Sequence, residues 1–327
     1  VAPRGEFRLI ERFTRPFTRG EGVVVGIGDD AAVLRPPRGE DLVATVDAVV
    51  EGVHFTRAFA PEDVGWKSLA VNLSDLAAMG ARPLWALVAL ATPPGADAGR
   101  LARLGRGIAA CARRHGVSVV GGNVTAADRL SLTVTVVGAV PRGRALLRSG
   151  GRPGDLLAVS GTLGDAALGI EAGAAASLRR RQRRPEPRLA LGREAAGIAR
   201  AAIDLSDGLL ADLGHLCAAS GVGARIEVER LPVSRAYRAA TRGLSLPHEG
   251  ALSGGEDYEL LLAVPPGRLP ALLAAARRSR TPLTVVGELE RRPGVRVVKG
   301  GRRLVPRRLG HDHLRPGRVL GRGRGRA

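Results

Sequence analysis

The segment AIDLSDGLLADL, residues 202–213, changes period at its centre. Ala202 and Ile203 continue a short apolar run, Gly208 interrupts it, and Leu209, Leu213 and Leu216 then recur at helical spacing. Asp204 and Asp207 therefore stand where a strand gives way to a helix, with Ser206 between them, close to the helix N-terminus. Taken alone, Ser206 and Asp207 read equally well as helix caps. Recurrence changes the balance. Similar acidic motifs occur as GDD at 28–30, TVD at 45–47, NLSD at 72–75 and GGED at 254–257, each beside an apolar run or a glycine turn.

A carboxylate in such surroundings is costly to bury unless it is paired or holds a cation. Several of them converging on one pocket imply a hard metal such as Mg2+, which takes oxygen ligands and commonly shares them with substrate phosphates. Phosphoryl transfer is the reaction class that follows. The usual nucleotide signatures are missing: no GxxxxGK[ST] occurs, Lys67 follows Trp66 in GWKS, and neither HRD nor DFG is present. Glycine turns offer another phosphate cradle, at Gly121 and Gly122 before Asn123 and at Gly161 and Gly164 before a helix, with tight-turn geometry as the plainer reading.

Around these motifs the pattern is mixed α/β. Strands are expected near 23–27, 42–46, 85–91, 117–120 and 130–137, and helices near 61–78 and 101–115. PRGRALLRSGGRPG at 141–154 breaks both periodicities and divides the chain into a domain at 1–145 and another at 151–314. In the second, strands are expected at 156–160, 224–228, 259–264 and 284–289, and helices from 166, over 188–200 and over 209–219. The Arg/Gly tail at 315–327 lacks the apolar content to order itself.

With 327 residues and 45% apolar content, the chain can fill two cores. Cys111 and Cys217 are far apart and in no CxxC or Cys/His spacing, which points away from disulfides and zinc and towards a reducing cytoplasm. The longest apolar run, at 84–91, is too short to cross a bilayer. A formal charge of +19 raises the question of nucleic acid, with Arg179–Arg184 and the tail as the basic tracts. Yet only Lys67 and Lys299 are lysines among many arginines, which a compositional bias explains as well, and 3% aromatics leaves few stacking platforms. An RNA-binding protein is the competing reading from another class.

In order, GIGDDAAVL, TVDAVVEGVHF, VGWKSLAVNLSDLAAMGARPLWALVAL, VVGGN, LLRSGGRPGD, SGTLGDAALG, RPEPRLALG, AIDLSDGLLADL and GGEDYELLLAV resemble the thiamine-monophosphate kinases. These belong to the ATP-binding superfamily of aminoimidazole ribonucleotide synthetase and selenophosphate synthetase. The resemblance implies a two-domain synthetase-like fold, a dimer built through the N-terminal domains, and ATP with Mg2+ in a cleft between domains. It implies a metal shell of Asp29, Asp30, Thr45, Asp47, Asp75, Asp204 and Asp207. Gly122, Asn123, Arg148 and Ser206 would face ATP, and His54, Glu256 and His311 would contact thiamine monophosphate. No catalytic acid or base is implied, because the acceptor phosphate is already an anion. Another ATP-dependent synthetase of the superfamily is the nearest alternative; VEGVHF and GGEDYELLL favour the thiamine branch.

Overall fold

The computed structural model describes residues 6–28, 30–171 and 173–310. Asp29, His311 and the 315–327 tail lie outside them. The described chain forms two compact units, residues 6–73 with 83–139, and residues 74–82 with 140–310.

The first unit opens with α1 (Glu6–Thr14) and a two-stranded hairpin of β1 (Val23–Val25) and β2 (Val33–Leu34). Next come β3 (Glu40–Val50), α2 (Pro61–Ala78), β4 (Arg82–Thr92), α3 (Ala98–His115), β5 (Ser118–Ala126) and β6 (Ser131–Pro141). The last four strands form one sheet in the order β3-β6-β4-β5. Helix α3 has clear boundaries: Asp97 accepts from the Gly99 and Arg100 amides at its start, and Gly116 closes it at φ 71°. Because β4 and β5 run parallel, α3 is the crossover between them.

Gly121 and Gly122 do not form the turn expected of them. They lie inside β5, where the register slips between Ala86 and Leu87 and Val120 becomes the extra residue of a bulge. A Cβ on Gly122 would fall 1.9 Å from the Val88 carbonyl oxygen, so glycine here serves the approach of two strands.

The second unit contains β7 (Leu156–Ser160), α4 (Asp165–Gly169), α5 (Ala176–Arg183), α6 (Leu189–Ala195), β8 (Ala201–Asp204) and α7 (Leu209–Ser220). It continues with β9 (Gly223–Glu227), α8 (Arg235–Ala240), α9 (Glu249–Ser253), β10 (Leu260–Val264), α10 (Leu269–Arg278), β11 (Leu283–Glu290), β12 (Gly294–Lys299) and β13 (Arg302–Leu304). Its seven-stranded sheet runs β13-β12-β9-β11-β7-β10-β8, antiparallel except for the β9/β12 pair. Leu209, Leu213 and Leu216 of α7 enter the core with Ile203, Leu261 and Val286. The helix expected over 188–200 stops at Ala195, and α5 and α8–α10 are additional to the sequence reading.

Glu259, just before β10, is fully buried. Burial alone would raise its pKa, but the Arg188 hydrogen bonds and the charges of Arg188 and Arg181 prevail and hold it below the usual glutamate value. Arg188 binds the carboxylate with two nitrogens, Nε and Nη2, while Arg181 and the Ser160 hydroxyl donate to it as well. No described helix is long and apolar enough to cross a membrane.

Arg188→Met removes the two-nitrogen partner and should lower stability by roughly 3 kcal/mol, read as a drop in the urea midpoint. Since the folded pKa of Glu259 lies below the ordinary glutamate value of 4.5, its stabilisation is present above that pH and is lost as pH falls through the folded value. The gap between wild type and variant should therefore close on acidification below about pH 4.5.

Candidate active site

In the second unit β8 delivers Asp204 to the edge of the sheet, only 4% exposed. Its Oδ2 accepts a 2.7 Å hydrogen bond from the Ser74 hydroxyl. Asp75 is the next residue along α2, so the NLSD and DLSDG motifs meet here. Burial first, and the neighbouring Asp75 charge second, push the Asp204 pKa up to about 8. The Arg148 guanidinium acts in the opposite sense. Its segment lies beside β8, where the Ala202 amide donates to the Leu147 carbonyl.

The turn after Asp204 is not capped by Ser206 or Asp207. Gly208 occupies the N-cap position, and Asp212, one turn into α7, reaches back to accept from the Asp207 and Gly208 amides at 3.1 Å each. Asp212 was absent from the sequence reading. Its signal is a carboxylate four residues beyond Gly208, in the first helical turn, where exposed amide donors favour negative charge. Burial, then repulsion from Asp207, raises its pKa to about 7.

The GGED motif joins the same place. The Glu256 amide donates to the Ser206 carbonyl, the Tyr258 amide to the Leu205 carbonyl, and the Leu205 amide to the Glu259 carbonyl. Glu256 and Tyr258 adopt left-handed backbone, φ 70° and 50°, which non-glycine residues take at a cost. The second unit thus gathers Asp75, Asp204, Ser206, Asp207 and Glu256, with Arg148 within electrostatic reach of Asp204.

In the first unit, Thr45 and Asp47 alternate with Val46 on β3, so they share one face of the strand. Thr45 is half-buried, and Asp30, Asp47 and Asn123 are exposed. His54 lies in a tight loop: its amide donates to the Val50 carbonyl, and its Nδ1 accepts from the Val50 amide at 3.1 Å. An accepting Nδ1 leaves the ring proton on Nε2. The fully buried Lys67 ammonium donates to the His54 carbonyl, fixing the loop from beneath.

Among the described residues no three His, Cys, Asp or Glu side chains stand close enough to hold a metal by themselves. The donors around Asp204 nevertheless suit a hard cation. All are oxygens, and burial first, then repulsion from neighbouring carboxylates, raises the pKa values of Asp204 and Asp212. Of the basic run, Arg181 is committed to Glu259 and Gln182 is buried inside it.

A strand-delivered cluster of carboxylates, in a chain of this two-unit architecture, matches one class of fold. The AIR synthase related protein N-terminal domain corresponds to residues 28–140 and the C-terminal domain to residues 152–300. Within that class, the thiamine-monophosphate kinase of Caulobacter vibrioides is 42% identical over 96% of this chain and 92% of its own length. The crystal structure of the Stenotrophomonas maltophilia K279a thiamine-monophosphate kinase superposes with a TM-score of 0.82 at 43% identity, covering 90% of this chain and 96% of that one. A structure of AaThiL complexed with AMPPCP and TMP gives a TM-score of 0.75 at 34% identity, covering 94% and 97%. The chain belongs to the thiamine-monophosphate kinase family.

Asp204 has a raised folded pKa, so the stability associated with its neutral form is present below 3.8 and is lost as pH rises towards about 8. Asp204→Asn, permanently neutral and able to accept from Ser74, should gain melting temperature over wild type across that interval in metal-free buffer. Added Mg2+ should raise the melting temperature of wild type at pH 8 and leave the variant nearly unmoved.

Proposed function

We propose that this chain transfers the γ-phosphoryl group of ATP to thiamine monophosphate, giving thiamine diphosphate and ADP, as the last step in making the diphosphate. The observation that carries the reading within the molecule is the buried Asp204 beside Asp75, two carboxylates brought together from the DLSDG and NLSD motifs. The family supports it from outside: its relatives are thiamine-monophosphate kinases, and AaThiL was solved with AMPPCP, an ATP analogue, and TMP.

Asp75, Asp204 and Asp207, together with Asp29, Asp30, Thr45 and Asp47, are the residues that would hold Mg2+. When bound, the ion supplies charge neutralisation on the phosphate chain. Gly122, Asn123, Arg148 and Ser206 serve ATP. Arg148, an exposed cation beside an acidic cluster, places positive charge where a polyphosphate needs it. His54, Glu256 and His311 make up the side that receives thiamine monophosphate.

An oxygen of the acceptor phosphate forms the new bond to the γ-phosphorus. The bond from that phosphorus to the β,γ-bridging oxygen breaks, and its electron pair leaves with ADP. The nucleophile is already anionic, so no side chain has to remove a proton; the protein's task is alignment of two polyanions and screening of their charge.

The same reading includes a homodimer and a cytoplasmic setting. On the first-unit sheet, Leu42, Ala44, Val46 and Ala48 of β3 and Leu87 and Ala89 of β4 are exposed on alternate positions, an apolar face suited to a second copy. Cys111 and Cys217 are buried free thiols, as a reducing compartment permits.

Purified protein with Mg-ATP should form thiamine diphosphate and ADP in equal amounts with thiamine monophosphate and none with thiamine; absence of acceptor-dependent product from a folded, ATP-binding protein would overturn the reading. Asp204→Asn should lower kcat by at least about a hundredfold while the circular dichroism spectrum is retained. Val46→Glu should shift the sedimentation profile from dimer to monomer, and an unchanged profile would remove β3 from the interface.

A further inference from the structure

We propose that Gln182 is a positioning residue that holds the Glu256 carboxylate in place for thiamine monophosphate. The inference rests on the reading of Glu256 as an acceptor-binding residue given above.

Helix α5 overlaps the basic tract Arg179–Arg184, yet its buried residues are Leu178 and Gln182, four apart on one face. Gln182 is 1% exposed, and its Nε2 donates to Glu256 Oε2 at 3.2 Å. The preceding residue, Arg181, donates to Glu259. The helix therefore grips both ends of the 256–259 turn with consecutive side chains.

That turn needs external support. Glu256 and Tyr258 both sit at positive φ, and the main chain is pinned by bonds to Ser206 and Leu205. Those bonds set the backbone of Glu256; the Gln182 amide acts on its carboxylate.

As a packing residue Gln182 is a poor choice. Its Oε1 is buried with no hydrogen-bond partner, a cost that methionine, of similar length and shape, would not incur. A residue present only for stability would gain from that exchange, whereas one present for Glu256 would lose function by it. This opposition of stability and affinity separates the two roles.

The test is steady-state kinetics of Q182M, E256A and the double variant, with melting temperatures. Q182M should raise KM for thiamine monophosphate roughly tenfold. KM for ATP should stay within about twofold, with the melting temperature equal to or above wild type. The double variant should be no worse than E256A alone, because the two residues act as one unit. A Q182M protein with lowered melting temperature and unchanged KM would assign Gln182 to packing and overturn the inference. E256A with unchanged KM would overturn the inference together with the acceptor reading of Glu256; an impaired E256A beside a silent Q182M would overturn the inference alone. Should Q182M not fold, Q182N, which withdraws the amide by one methylene, carries the same kinetic expectation.

Discussion

The cost of taking a carboxylate out of water governs the second unit, and the chain meets that cost in two opposite ways. Glu259 receives full compensation from Arg188, Arg181 and Ser160, and its pKa falls below the ordinary value. Asp204, at the end of the neighbouring strand, is buried beside Asp75 and accepts from the Ser74 hydroxyl, and burial above all lifts its pKa to about 8. The first arrangement holds structure together, because its charges close on themselves. In the second, burial and a neighbouring carboxylate disfavour the charged form, a perturbation of the kind that clusters at functional sites.

The first unit applies the same economy with neutral groups. The loop around His54 is fixed by backbone bonds and by a buried lysine reaching a carbonyl, so the imidazole is held in place with its Nδ1 accepting. Holding that geometry in the folded chain places the entropic cost of ordering the loop in folding itself.

Much of this was legible in the chain. The change of period in 202–213 placed Asp204 at the end of β8, and apolar periodicity located the strand at 156–160, the strand expected at 284–289 and found at 283–290, and the α7 helix, whereas TVD falls inside β3 and NLSD inside α2. What escaped was tertiary. Asp212 reads as one more helix carboxylate until its oxygen is seen on the Asp207 and Gly208 amides. Gln182 is hidden among arginines, because nothing local says which face of α5 turns inward. Gly121 and Gly122 suggested a phosphate turn, and the competing demand, two strands crossing at a bulge, depends on Val88, more than thirty residues earlier.

Helix α2 has a consequence for how the chain can be divided. Residues up to Leu73 belong to the first unit, while Ser74 to Arg82 belong to the second. Ser74 supplies the hydroxyl to Asp204, and the Met79 carbonyl accepts from the Leu146 amide. A single cut near residue 140 would therefore separate the second unit from part of its own fabric. Gene fragments made that way would lack autonomy, and the two halves share one interrupted inheritance of sequence in place of two modules joined end to end.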